Sequence, residues 1–347
     1  MTEASAPGKL VIVGEYAVLH GAPAIAVALA SRARARITRL ESAPSQFLGE
    51  DGADCWPFTW AETQVPVWEA PPPEGRGRIL EFVIAVLRER GALPPELPAL
   101  AITLDSSDFY RDSNNARRKL GLGSSAAVTV ALAGALLQEF SPQQLHPPLL
   151  VEVCLDAHRR LQGGTGSGVD VAAAVAGGVI SLACDAQGAI CWQPERFPAG
   201  LHWLALWTGY SASTTDMLAT FDRFRVAQPP LFIAHLDDLR AISQAALGAW
   251  DRADIANLLS ALAEYDAALR RLDRDAAIGI YSPAHHRLAE LVRRNGAIYK
   301  TSGAGGGDFG LAFSNSARVI DRVRETAFRE RIFTLDGGEG TGGLEVA

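Results

Sequence analysis

The chain opens on strand-like patterns. "KLVIVGEYAVL" (9–19) begins as a β-branched run and "APAIAVALA" (22–30) follows a Gly-containing turn, which predicts early strand pairing. "SRARARITRLES" (31–42) alternates as a half-exposed strand does. Residues 41–77 are rich in Pro, Gly and Trp without a clear period and predict loops with short strands. "GRILEFVIAVLRERG" (77–91) has helical spacing and a Gly stop, and "PALAITLDSS" (98–107) predicts a strand. The polar "DFYRDSNNARRK" (108–119) after it reads as a loop. Helices are expected over 125–140 and 147–161, then a short one in "GVDVAAAVAGG" (168–178), then a strand at "GVISLAC" (178–184).

Near residue 195 the pattern changes. One strand, "HWLALWTG" (202–209), is followed by longer amphipathic helices at roughly 212–226, 230–248, 251–272 and 284–295. "AIYKTSGAGGGDFGLAFSN" (297–315) predicts strand, glycine turn and strand, with a helix (316–328) and the strand "RIFTL" (331–335) after it. "DGGEGTGG" (336–343) reads as frayed or disordered. The expectation is two domains, 1–195 and 196–347, in an α/β (α+β) chain.

Composition narrows the classes. At 347 residues and 48% hydrophobic, the chain can bury a substantial core. Its formal charge is −7, with no basic tract beyond Arg117-Arg118-Lys119, which argues against nucleic-acid and membrane-surface partners. No segment supplies the ~18 uninterrupted apolar residues of a transmembrane helix. Lys9 and Glu15 interrupt the first apolar stretch, which does not read as a signal peptide. Cys154 and Cys184 lie in apolar runs and no CxxC spacing occurs, so the cysteines read as reduced. A cytoplasmic small-molecule enzyme is expected.

The candidate chemistry sits in glycine-rich stretches. "KLGLGSSAAVTVAL" (119–132) lacks the GK[ST] of a Walker A loop. Gly121, Gly123 and Ala126 match G-x-G-x-x-A, but the polar, basic residues before them do not read as the strand that a dinucleotide fold needs. The remaining reading is a phosphate nest, in which open amides at 123–126 and the helix dipole hold an anion and a seryl hydroxyl ligates Mg²⁺. An ordinary Ser N-cap is the alternative. "GGTGSGVDVAAA" (163–174) sets a second Gly/Ser turn before a helix that Asp170 enters, and "KTSGAGGGDFGLAF" (300–313) is a third. Lys9 follows Pro-Gly at a strand start. Together they make a kit for phosphoryl transfer: cradle, cation and carboxylate.

These residues resemble a known family. "APGKLVIVGEYAVLHG", "GLGSSAAVTVAL" and "TSGAGGGDFGLAF" are similar, in order, to the three motifs of the GHMP kinase superfamily. The resemblance implies a two-domain fold, with a ribosomal-protein-S5-like N-terminal ATP-binding domain and a ferredoxin-like C-terminal domain. It implies ATP and Mg²⁺ as cofactors. ATP phosphates would lie on Lys119, Gly121, Leu122, Gly123, Ser124, Ser125 and Ala126, with Ser124 or Ser125 on the metal. Asp170 maps to the catalytic Asp, as general base or orienter, and Lys9 to the motif-one Lys.

Within the superfamily the motifs look most like those of phosphomevalonate kinases, through "KLGLGSSAAVTVAL", "GSGVDVAAAVAGG" and "WTGYSASTTDML". Where mevalonate kinases carry a Mg²⁺-binding Glu ahead of the catalytic Asp, this chain has "DAHRRLQGG" and no Glu. The implied partner is a phosphorylated mevalonate, with mevalonate or another small alcohol as the alternative. A silent ATP-binding sensor is the alternative from another class, and a homodimer is compatible with the family. Acceptor contacts are expected from Lys9, Glu15, Arg117, Arg118, Ser167, Gly168, Asp170, Ser213, Thr214, Ser302, Gly303, Gly305 and Gly306. Glu15 also reads as a structural partner, the Arg pair as a solvated loop and "SASTTD" as a helix cap. His20 and His158 read as satisfied polar residues.

Overall fold

A computed structural model describes the chain apart from residues 42–43, 51–53, 64, 114–115, 165 and 186–188. Thr165 of the second glycine stretch and parts of the expected loops 41–77 and 108–119 thus lie outside the described residues.

Strands β1 (Thr2–Val13) and β2 (Ala24–Arg39) pair antiparallel, from Thr2 opposite Ile37 to Val13 opposite Ile25. The two strand stretches read at 22–30 and 31–42 are one strand. Its pattern changes because its surroundings do: Ala24–Leu29 is buried on both faces, whereas Ala33, Ala35 and Ile37 alternate with more exposed residues. The sheet continues through β3 (Ser45–Leu48), β4 (Cys55–Trp60) and β5 (Pro66–Trp68), with helix α1 (Gly77–Glu89) crossing to β6 (Leu100–Asp105). From β2 the order runs β6, β3, β4, β5, and β3 lies parallel to β6.

The polar stretch 108–119 is no simple loop. It holds a surface hairpin, β7 (Tyr110–Ser113) and β8 (Ala116–Lys119), with Tyr110 opposite Lys119. Cation–π stacking replaces an apolar face: Arg117 lies over Tyr110 at 4.7 Å and Arg111 over Phe333 at 4.0 Å. A strand does precede Gly121, then, but it belongs to a two-stranded ribbon and not to a βαβ unit.

Helix α2 (Ser124–Phe140) is apolar nearly all round because it is buried nearly all round, against β1 and β2 on one side and α3 (Pro147–Leu161) on another. Helix α4 (Val169–Ala176) and the hairpin β9 (Val179–Cys184) and β10 (Ile190–Glu195) complete this unit, β9 pairing with Ala24–Val27. Strand β10 had no sequence signal: its side chains are mostly exposed or partly so.

The second unit holds β11 (His202–Trp207), α5 (Thr214–Ala227), α6 (Pro229–Asp251), α7 (Ile255–Ala276), α8 (Pro283–Arg294), β12 (Ile298–Thr301), β13 (Phe309–Ser314), α9 (Ala317–Arg329) and β14 (Thr334–Asp336). Its sheet order is β12-β13-β11-β14, all antiparallel. "HWLALW" is continuously apolar because both faces are covered. Leu204 and Leu206 pack with α8 and α9, while Trp203, Ala205 and Trp207 join a core that also takes in Ile12 and Ile25 of the first sheet.

The glycine-rich tail is ordered, contrary to its composition. Gly340 and Gly343 pass so close to Gly178 and Gly177 that a Cβ on any of the three at 177, 340 or 343 would overlap backbone. Arg32 donates to the Gly342 and Gly343 carbonyls at 2.9 and 2.7 Å, and Leu344 fills the space over Gly134 of α2. Strand β15 (Glu345–Val346) then pairs with β1, so the chain ends on the first sheet rather than within the second unit.

Candidate active site

A cleft of about 240 Å³ opens where β1, the 120–124 turn, the start of α4, the 208–214 loop and the glycine loop before β13 meet. The approach of β1 to the turn requires Gly8, since a Cβ there would stand 2.7 Å from the Leu122 carbonyl oxygen and 2.7 Å from Phe109. A register shift between Pro7 and Lys9 re-aims the strand at this point. The Lys9 amide donates to the Leu122 oxygen at 2.9 Å, leaving its side chain half-buried in the cleft wall.

Gly121 (φ +80°) and Gly123 (φ +79°) make the turn, both in the left-handed region. A Cβ on Gly121 would overlap the Asp308 carboxyl. A Cβ on Gly123 would lie 3.5 Å from Lys9 Cε and 3.5 Å from Asp170 Cβ, so the stems of both side chains pass close to the turn. Gly123 caps α2, and the Ala127 amide is the first to reach back, to the Gly123 oxygen at 3.1 Å. The amides of Ser124, Ser125 and Ala126 therefore lack an intrahelical acceptor, at the positive end of a long helix.

Asp170 sits in the first turn of α4, half-buried. Its nearest donor is the neighbouring Val171 amide, 3.2 Å from Oδ1. Among the described residues no ion pair ties Lys9, Lys119 or Asp170 to an opposite charge. Unpaired charges of both signs facing one cleft are expensive to keep unless a ligand uses them.

Several expected contacts are placed here. Lys9, Glu15, Lys119, Gly121, Gly123, Ser124, Ser125, Ser167, Asp170, Thr214, Ser302 and Gly303 all border the cleft. Others do not. Arg117 pairs with Glu50 at 2.8 Å and Arg118 donates to the Gly209 carbonyl at 3.0 Å, so the turn after β3 and the 208–214 loop take both side chains. Ser213 caps α5 by accepting from the Asp216 amide at 3.3 Å, as the capping alternative has it. Leu122 and Ala126 are core residues. Gly168 (φ +71°) is a buried cap against Ile190 and Leu155, Gly305 packs on Ile280, and Gly306 on Met217 and Ala212.

Three groups that border the cleft are also tied into the frame. The Ser302 hydroxyl donates to the Val11 carbonyl and accepts from the Val11 amide, both at 2.9 Å. Ser125 Oγ lies 3.2 Å from Nε2 of the buried His158. Glu15 is paired through Oε1 with the fully buried Lys300, whose ammonium also donates to the Thr301 carbonyl at 2.6 Å. Burial pushes the Glu15 carboxyl up, against the pull of Lys300, and its Oε2 has no hydrogen-bond partner.

Two residues were not anticipated. Lys300 carries no local signal, since "IYKT" reads as an ordinary strand whose lysine would face solvent. Asp308, at φ +56°, lies at the cleft with Oδ1 buried and unpartnered. Its sequence signal was an acidic residue ending a glycine run.

These features meet a known pattern. Residues 81–178 match the GHMP kinases N terminal domain. The whole chain shares its fold with solved kinase structures that superpose on it. It is 28% identical over 356 residues to the phosphomevalonate kinase of a Streptomyces species, covering 92% of each chain. It is also 28% identical over 313 residues to the mevalonate kinase of Archaeoglobus fulgidus, covering 89% of this chain and 91% of that one. The structure of the Streptococcus pneumoniae phosphomevalonate kinase in complex with phosphomevalonate and AMPPNP superposes with a TM-score of 0.76 at 20% identity, over 97% of this chain and 100% of that one. The matched segment contains the 121–125 turn and Asp170, whereas Lys9 and Asp308 reach the cleft from outside it.

Among the described residues no cluster of three His, Cys, Asp or Glu side chains is arranged to hold a metal ion, and no helix is long and apolar enough to cross a membrane.

Proposed function

We propose that this protein is an ATP-dependent kinase of the mevalonate pathway whose acceptor is 5-phosphomevalonate, giving the diphosphate and ADP. The convergence of the Lys9 stem and Asp170 on Gly123, beside the open amides of α2, carries the reading. Open amides at a helix start and unpaired ammonium groups suit phosphates, and the space a Cβ would fill at Gly123 suits the transferred group. The two unpaired lysines give cation enough for a second, acceptor phosphate near Ser211 and Thr214.

The donor set also fits magnesium. Mg²⁺ takes mostly phosphate and water oxygens with one or two from protein, and the Ser124 hydroxyl is such an oxygen at the cleft. Ser125 fits less well, its hydroxyl lying against His158. When bound there, the ion would neutralise charge on the ATP phosphates. The chain's own work is positioning. Lys9 and the 124–126 amides hold the transferred phosphoryl group, and Asp170 aligns the acceptor opposite it. A phosphate acceptor attacks through an oxygen that is already ionised, so Asp170 orients and removes no proton. With a hydroxyl acceptor the same carboxylate takes the proton as general base. Its freedom from ion pairing keeps mevalonate as the second reading.

ADP release with MgATP across 5-phosphomevalonate, mevalonate and a panel of sugar and amino-acid alcohols tests the proposal. Turnover with phosphomevalonate alone is expected. Turnover only with mevalonate retires the acceptor, and ATP binding without turnover on any alcohol moves the protein to the sensor class.

A further inference from the structure

Asp308 borders the phosphate turn and the 208–214 loop at once. Its carboxyl stands against Gly121, where only a glycine leaves room. Its backbone is pinned on both sides, the amide donating to the Tyr210 carbonyl and the carbonyl receiving the Thr208 amide, each at 2.9 Å. The backbone that carries it is therefore fixed, and Oδ1 lies buried without a donor. A buried polar oxygen left unpaired costs about 1–3 kcal/mol and calls for a partner that binds later.

The charges at that place say what the partner carries. On the reading that the acceptor is phosphorylated, two phosphates must face each other here, with Asp308 and Asp170 nearby and, among the described residues that line the cleft, Lys9 and Lys119 as the cations without an ion pair. A third fixed negative charge beside them opposes binding unless a proton enters with the ligand. Burial already pushes the Asp308 carboxyl up, against the pull of the Ser211 hydroxyl, the Ala212 amide, Lys9 and Lys119.

We propose that Asp308 is a specificity-determining residue of the acceptor subsite, where its Oδ1 and an acceptor phosphate oxygen hold one proton between them. The subsite thus takes a phosphomonoester with one proton shared, and the remaining phosphate oxygens stay free to attack. The proton comes from the phosphate itself below its second ionisation, near pH 6, and from solvent above it. Among the described residues, the charged and titratable groups around Asp308 are Lys9 on β1, Lys119 on β8 and Tyr210 in the adjoining loop. Glu15, Tyr16, His158 and Asp170 lie elsewhere along the same cleft.

The test is the acceptor KM of the full chain against pH, from 7 to 9, in wild type and Asp308→Asn, with the KM for MgATP as internal control. Asparagine keeps the shape and offers a permanent N–H, so no proton need be taken up. The wild-type acceptor KM is expected to rise toward tenfold per pH unit while the variant stays flat and the KM for MgATP follows neither slope. An equal slope in both proteins, which His158 or a general effect would produce, overturns the proposal, as does a flat wild-type profile. If the variant does not fold, calorimetry of phosphomevalonate binding to wild type at pH 8.5 in buffers of different ionisation heat decides. Uptake approaching one proton per site supports the shared proton, and none overturns it. Absence of ADP release with phosphomevalonate at every pH removes the acceptor reading and this proposal with it, whereas release with a flat KM removes the proposal alone.

Discussion

Two glycine-rich loops border the same cleft with similar backbones and different fates. Gly121 and Gly123 sit at φ +80° and +79°; Gly303, Gly305 and Gly306 sit at +74°, +81° and +76°. In the first loop the Leu122 carbonyl is tied to β1, and the amides that follow lack an intrahelical acceptor. In the second, polar groups are taken up by the frame. Ser302 bonds β1 twice, the Ala304 carbonyl receives the Tyr16 hydroxyl at 2.6 Å, and the Gly306 amide reaches the Ile280 carbonyl at 2.8 Å. The Gly307 carbonyl lies 2.8 Å from Nε2 of the fully buried His285. Because that carbonyl only accepts, Nε2 carries the proton, and Nδ1 accepts from the Tyr299 hydroxyl at 2.6 Å. Glycine reports where a backbone must turn, not what the turned backbone binds. On the proposed reading the first loop is a ligand cradle, while the second is a joint that ties β1 to the turn between β12 and β13.

If this contrast is right, damage at the first loop costs turnover and damage at the second costs stability. The largest effect is expected at Asp170, whose Asn variant should lose about 10³-fold in kcat with an unchanged melting temperature. Steady-state ADP release beside a thermal melt checks both halves. A Tm drop matching the loss of rate would break the comparison.

The second effect is a pH dependence of the joint. Burial holds the His285 imidazole down at about 4, below its ordinary value of 6.5. The unfolded chain therefore binds more protons between those values, and stability should fall as pH drops from about 6.5 toward 4, by roughly 3 kcal/mol at most. Denaturant titrations across that range, compared with His285→Phe, measure it. The acid-side slope should shrink in the variant.

Ser302→Ala sharpens the contrast further. It removes the partner of a buried amide and of a buried carbonyl on β1, so about 1–3 kcal/mol of stability should go while kcat changes less than about tenfold. Smallest of all is Arg117→Ala. Its pair with Glu50 is half-exposed, worth about 0–1 kcal/mol, and the side chain does not border the cleft. Its acceptor KM should stay within about twofold of wild type, and a tenfold rise would return Arg117 to the acceptor site.

Much of this could be read in the sequence, for a local reason. The Pro-Gly-Lys at 7–9, the Gly-x-Gly-Ser-Ser at 121–125 and the Gly-Val-Asp at 168–170 each combine a backbone that must turn with the functional group it presents. The strands and helices with one buried face announced themselves by their period, as in α8 and α9. Where both faces are covered, as along Ala24–Leu29 and in β11, period vanished and only apolar character remained. The ordered tail was misread because it is held by other chain segments. Its glycines allow close passage over Gly177 and Gly178, and composition alone cannot distinguish close passage from disorder.

The sequence by itself determined which positions turn, which helices are buried and which charged residues stand beside glycine turns, because those depend on neighbours a few residues away. Only the tertiary structure decided which of those groups stay open. Arg117 and Arg118 looked like acceptor contacts until Glu50 and Gly209 took them. Glu15 looked like one until Lys300, buried 285 positions further along the chain, paired with it. Asp308 drew no attention until Gly121 and the 208–214 loop closed around it. Whether a polar group is free for a ligand depends on partners distant in sequence, and folding alone brings those together.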